Sequence, residues 1–163
     1  METKPEGSRP EASSPFIWPP TIYGSAALLS GLVSWFASWP FEPDGTRFEL
    51  RAAGVVLIAL GIASAVAAER RFHAAGTPVP PTRPTKALVF DGIYKYTRNP
   101  MYLGMTLVLF GLGLALNELW FLIAVPIAVL AVTKLAIERE EAYLERRFGA
   151  PYVAYKSKVR RWI

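Results

Sequence analysis

The sequence predicts an all-α integral membrane protein, and three observations carry that prediction. Apolar residues gather into four blocks, each near the roughly 20 residues a helix needs to cross a hydrocarbon core. The charges lie between these blocks, with basic residues close to their ends. Of the 14 prolines, only Pro126 falls inside an apolar block.

Residues Met1 to about Pro15 are polar and rich in Pro, Ser and Glu, so residues 1–15 read as a disordered tail and 16–163 as a single membrane domain. The apolar run starts only after Phe16-Ile17-Trp18, too late for a secretory signal. The first span is predicted from Ile22 to Trp39, with Gly24, Ser25, Ser30, Gly31 and Ser34 small enough for close helix approach. Trp18, Trp35 and Trp39 mark its ends, and Pro40-Phe41-Glu42-Pro43-Asp44-Gly45 forms a turn. The second span is expected from Leu50 to Ala68, closed by Glu69-Arg70-Arg71. The connection His73 to Thr97 contains Gly76-Thr77-Pro78-Val79-Pro80-Pro81, which is too proline-dense for a helix.

A third span, Met101 to Leu116, turns at Asn117-Glu118 into a fourth, Leu119 to about Ile137, making a C-terminal hairpin. Pro126 should kink the fourth helix. No breaker follows, so helix should continue through Glu138, Glu140 and Glu141 to about Phe148, where Gly149-Ala150-Pro151 stops it. In the tail, Tyr152, Tyr155, Val159 and Trp162 share one side at helical spacing, as in an interfacial helix.

Positive charge orients the chain. Arg70, Arg71, Arg83, Lys86, Lys95 and Arg98 crowd the second connection, whereas the first carries only Arg47 and Arg51. That connection and both termini are therefore expected in the cytoplasm. The net charge of +5 suits anionic lipid better than nucleic acid, because no reader motif accompanies it. With no cysteine, disulfides, thiolate metal sites and Cys nucleophiles are excluded, and one histidine, His73, offers no metal cluster.

Gly92-Ile93-Tyr94-Lys95-Tyr96-Thr97-Arg98-Asn99-Pro100-Met101-Tyr102-Leu103-Gly104 is the most informative stretch, since polar and turn-forming groups run straight into an apolar helix. Within it, Arg98-Asn99-Pro100-Met101-Tyr102-Leu103-Gly104 resembles the Arg-(His/Asn)-Pro-x-Tyr-x-Gly motif of the isoprenylcysteine carboxyl methyltransferase and phospholipid methyltransferase superfamily. Glu140-Glu141, Leu144, Phe148-Gly149, Tyr152, Tyr155 and Val159 are similar to its C-terminal pattern, and Gly76-Thr77-Pro78, Leu88-Val89 and Gly92-Ile93-Tyr94 resemble the bacterial branch. The resemblance covers about Gly76 to Trp162. Asn99 stands where the prenylcysteine enzymes usually have His, which tilts away from that acceptor.

The resemblance implies a multi-pass methyltransferase of the bacterial inner membrane, in contact with membrane lipids, using S-adenosylmethionine in a cytoplasmic-side pocket on a lipophilic small-molecule acceptor that enters from the bilayer. It implies a cofactor site of Tyr94, Arg98, Asn99, Pro100, Tyr102, Gly104, Glu140, Glu141, Tyr152 and Tyr155. Arg98 would pair the cofactor's carboxylate and one of the two Glu its ammonium, because neighbouring helical positions point about 100° apart. Against this stand plainer roles: Arg98 as a positive-inside anchor, the Glu pair as a solvated face near Lys134 or Arg147, and the tyrosines as an aromatic belt. Gly111 and Gly113 read as helix packing, and Arg160 and Arg161 as contacts to lipid phosphate. A phospholipid amine methyltransferase, a nicotinamide-dependent membrane reductase with a comparable C-terminal region, and a non-catalytic membrane protein are the alternatives.

Overall fold

The computed structural model describes residues 19–42, 47–77 and 85–163. The tail to Pro15, Trp18, the Pro43-Asp44-Gly45 part of the first turn and the proline-rich Pro78–Pro81 segment lie outside them. The described residues form helices and connections without strands: α1 (Pro19–Phe36), α2 (Arg47–Ala74), a 3₁₀ turn (Gly92–Lys95), α3 (Pro100–Leu116), α4 (Leu119–Val132), a π-helical turn (Thr133–Ile137), α5 (Glu138–Phe148) and α6 (Ala150–Lys158).

Among the described residues, two segments are long and apolar enough to cross a membrane: α2 and the continuous helix Leu119–Phe148. α3 is apolar but shorter. Large apolar side chains face outward along these helices and α1, among them Leu28, Phe48, Val55, Leu60, Ile127 and Leu130. Such a surface is at home in lipid and costly in water.

α2 and α3 pack through glycine. A Cβ at Gly61 would stand 2.5 Å from the Gly104 carbonyl oxygen, and one at Gly54 would stand 2.6 Å from that of Gly111. The two backbones therefore touch, and Ser64 adds a 2.8 Å hydrogen bond to the Pro100 carbonyl. The two glycines of α1 do not serve this purpose, since nothing lies within 4 Å of a Cβ at Gly24 and Gly31 meets only the Phe121 ring at 3.9 Å, whereas Ser30 is buried and donates to the Trp120 carbonyl at 3.3 Å. α1 instead packs on α4 and α3. Tyr23 bonds Thr106 at 2.7 Å, and Trp120 Nε1 donates to the Ala37 carbonyl at 2.7 Å.

α3 opens on Pro100, whose missing N–H is one that a first helical turn leaves unpaired anyway. It closes on Asn117 in the left-handed conformation (φ 55°), and Glu118 N donates to the Gly113 carbonyl at 3.0 Å. Asn117 also exchanges two hydrogen bonds with the Glu42 backbone, fixing the hairpin tip to the first connection. The core beneath the hairpin joins Tyr23, Tyr102, Leu109, Phe121, Ala128, Val132, Ala136 and Ile137.

Several boundaries depart from the sequence expectation. α2 runs through Glu69-Arg70-Arg71, which are good helix formers, and stops where Gly76 takes φ 62°. α4 continues through Pro126, as the fourth span was expected to, and a π turn that the sequence did not announce follows it, where Glu138 N donates to the Thr133 carbonyl. α6 ends at Lys158, and Val159 is extended (φ −117°, ψ 130°). Val159 and Trp162 are thus beyond the helix rather than on its face. Helix to Phe148 and the stop at Gly149 (φ 59°) are as the sequence predicts.

Candidate active site at the polar end of the hairpin

The chain doubles back so that the start of α3 meets α5 and α6. Around the resulting cavity stand Tyr94, Arg98, Asn99, Pro100 and Tyr102 from one side and Glu140, Glu141, Tyr152 and Tyr155 from the other. Nine of the ten sequence-derived site residues are therefore brought together. Gly104 is not: it lies one turn into α3 with its backbone against Gly61, where a Cβ would stand 2.5 Å from the Gly61 carbonyl oxygen. Its role is packing.

Glu140 and Glu141 both line the cavity, although one of the two was expected to turn away. They differ in partners. Glu141 is buried and accepts from Arg161 twice, Nε to Oε1 at 3.0 Å and Nη2 to Oε2 at 2.8 Å, while Arg98 Nη2 lies 3.2 Å from Oε1. Glu140 accepts from the Tyr102 hydroxyl at 2.7 Å and, among the described residues, forms no ion pair. Lys134 pairs with Glu138 instead, and Arg161 pairs within the protein where a lipid-phosphate contact was expected.

Arg98 is the least satisfied group in the site. Its side chain is about 10% exposed, yet Nε and Nη1 are buried with no hydrogen-bond partner among the described residues. Burying a guanidinium with idle donors is costly, so such a group normally has a reason to be there.

Burial keeps the phenols of the site neutral. The Tyr155 hydroxyl donates to the Tyr94 carbonyl at 2.7 Å, and burial pushes its pKa up to about 12, with the nearby Arg98 opposing the rise. Burial likewise holds the Tyr94 and Tyr152 phenols well above the ordinary tyrosine range. Tyr152 and Tyr155 stand 6.2 Å apart centre to centre, and Phe90 packs on Tyr155 at 5.4 Å. Asn99 spends its amide on the C-terminal segment, Nδ2 donating to the Arg161 carbonyl at 2.8 Å.

Residues outside the expected set complete the walls: Phe72 from α2, Thr85, Ala87, Leu88 and Val89 from the connection, Met101, and Tyr143 and Leu144 from α5. Thr77 closes that connection by hydrogen bonds to both the N–H and the carbonyl of Ala87, and the Tyr143 hydroxyl accepts from Thr85 N at 3.2 Å. The long connection thus returns across the cavity. Leu88, Val89 and Leu144 belong to the quoted motifs, so a signal existed for them; Phe72 had none.

A helical membrane protein with a polar, tyrosine-walled cavity at one end of its hairpin is the class that this arrangement defines. The chain belongs to the phospholipid methyltransferase family, whose model matches residues 50–151. It is 43% identical over 63 residues to an uncharacterized protein of Haemophilus influenzae, covering 39% of this chain and all of that one. It is 35% identical over 72 residues to the protein-S-isoprenylcysteine O-methyltransferase of Schizosaccharomyces pombe, covering 44% of this chain and 30% of the relative. A Dictyostelium discoideum protein of the same name is 28% identical over 138 residues, 82% of this chain and 57% of the relative. The chain therefore spans about a third to a little over half of these two methyltransferases. No solved structure matches it.

Proposed function

We propose that this protein is an S-adenosylmethionine-dependent methyltransferase acting on a lipophilic acceptor, a carboxylate or an amine, that reaches the cavity from the membrane. The observation that carries the reading is Arg98, a buried guanidinium with two donors that have no partner among the described residues, in the wall of a cavity that Glu140 also lines. A free amino-acid moiety offers what these two lack: a carboxylate for a planar donor fork and an ammonium for a carboxylate. Tyr94, Tyr152 and Tyr155 give an aromatic, neutral wall for an adenosine.

S-adenosylmethionine supplies the methyl group on a sulfonium, already activated for in-line displacement. The protein then needs no nucleophile of its own, in keeping with a chain that has no cysteine and one histidine. Its part is to hold both reactants aligned and to match charge. Arg98 and Glu140 orient, the tyrosines exclude water, and Glu141 is already neutralised by Arg161 and Arg98.

In this reading the protein spans the inner membrane four times, α1 and α3 joining the two longer helices. Both termini and the cavity lie on the cytoplasmic side, supported by the basic connection between α2 and α3. The two acceptor classes draw on different observations. The relatives named for isoprenylcysteine O-methylation support a carboxylate. The family description and a Glu140 bonded only to a neutral hydroxyl support a phospholipid amine.

Calorimetry with S-adenosylhomocysteine against a nicotinamide dinucleotide tests the cofactor. Binding of the dinucleotide with no response to the sulfur ligand would favour a reductase. Labelled donor with a membrane lipid extract, or with a prenylated cysteine, then separates the acceptors.

A further inference from the structure

A buried guanidinium next to a buried carboxylate ordinarily closes on it with two parallel hydrogen bonds. Arg98 and Glu141 do not. Arg161 already occupies both Glu141 oxygens, at 3.0 and 2.8 Å, and Arg98 reaches Oε1 with Nη2 alone, at 3.2 Å. Nε and Nη1 of Arg98 are left without partners.

Arg161 is held there by the residues that flank Arg98. After α6 the chain extends and crosses the start of α3, where Arg98 N donates to the Arg160 carbonyl at 3.0 Å. The Arg161 carbonyl accepts from Asn99 Nδ2 at 2.8 Å and from Thr97 Oγ1 at 3.3 Å. Trp162 packs against the hydrophobic core. The terminal segment is thus clasped to the motif on both sides of its arginine, and Arg161 itself does not line the cavity.

We infer that Arg161 is a positioning residue: by holding Glu141 in a bidentate pair it limits Arg98 to a single contact with that carboxylate and leaves the rest of the guanidinium for an anionic group of the ligand. Without it, Glu141 would close on Arg98 with a second hydrogen bond, to Nε beside the Nη2 contact it already makes, and an incoming carboxylate would have to displace a charge already in place. The consequence for affinity rests on the cofactor reading above, but the positioning is a property of the unliganded protein.

The test uses the full chain in lipid nanodiscs with isotopically labelled arginine, following the Arg98 Nε–Hε resonance, assigned by its loss in Arg98→Lys. In Arg161→Ala the Hε signal should move downfield as Arg98 bonds Glu141, and it should not move when Glu141→Gln is also present. Affinity for S-adenosylhomocysteine should fall about tenfold in Arg161→Ala, and by less than about twofold for the same change in the Glu141→Gln background. A clasp that merely held the fold together would cost the same in both backgrounds. That result, or an Arg98 resonance indifferent to Arg161, overturns the inference. Should Arg161→Ala lose its helicity, Arg161→Lys carries the test, because one ammonium covers one oxygen and should move the resonance the same way by less; no movement is again fatal. A parent protein that binds no S-adenosylhomocysteine counts against the cofactor reading, while the resonance still decides the role of Arg161.

Discussion

The Tyr102 hydroxyl donates to Glu140 Oε1 across 2.7 Å, linking the first turn of α3 to the first turn of α5. It is the direct polar tie between the outgoing and returning arms of the hairpin at the cavity. Tyr102→Phe removes the donor and leaves the carboxylate short of a partner. A loss of about 1 to 3 kcal/mol in stability is expected, read as a lower apparent unfolding midpoint in detergent. An unchanged midpoint would mean that water replaces the hydroxyl.

Arg98→Ala and Glu140→Ala should each weaken S-adenosylhomocysteine binding by about 2 to 5 kcal/mol, the usual cost of stranding one partner of a desolvated charged contact. Glu141→Ala should weaken it too, by freeing Arg161 as well as changing the field at Arg98. Circular dichroism checks that helicity is kept. If all three bind within about twofold of the parent, these charges do not hold the ligand.

Gly61→Leu and Gly54→Val should separate α2 from α3, because each new side chain would start about 2.5 Å from backbone of the facing helix. Backbone cannot yield as a side-chain tip can, so at least the roughly 1 to 3 kcal/mol typical of overpacking is expected. Gly24→Ala, with nothing within 4 Å, is the control and should be neutral or slightly stabilising. The yield of monodisperse protein after mild heating measures the contrast.

Stability should decline in alkali before Tyr155 ionises. Its folded pKa of about 12 lies above the ordinary tyrosine value of 10.0, so its contribution is complete below pH 10.0 and is lost as pH rises towards about 12. Tyrosinate absorbance and helicity followed together should show this, and Tyr155→Phe should remove part of the pH dependence. Ionisation of every tyrosine near pH 10.0 with the fold intact would contradict it.

Topology is open to a clean labelling experiment, since the chain has no cysteine of its own. A single cysteine at Thr85, on the connection that crosses the cavity, should resist an impermeant thiol reagent in intact cells and react after lysis. Labelling from outside would place the cavity on the opposite face.

Much of this architecture was legible because it follows from local rules. Pro100 at a helix start, Asn117-Glu118 at the hairpin tip and Gly149 at a helix stop are backbone signals, and all three act where they stand. The two polar motifs also pointed to one place, since a hairpin of known length must bring its ends together. What could not be read was pairing. Whether Glu141 meets Lys134, Arg147 or Arg161 depends on how an extended tail folds over α3, and no periodicity encodes that. Gly104 differs for a related reason: this motif residue packs against the neighbouring helix, at Gly61, and not against the cavity.

The π turn at Thr133–Ile137 amounts to one surplus residue wound into an otherwise continuous helix. Each residue turns an α-helix by about 100°, so the surplus sets the angular phase of everything beyond it, independently of how α4 seats against its neighbours. Excising one residue from this turn would leave the sequence of α5 untouched and swing Glu140 and Glu141 about a quarter-turn around the axis. The acidic pair is thus aimed by a counting offset located outside both motifs, in a stretch whose side chains do not line the cavity.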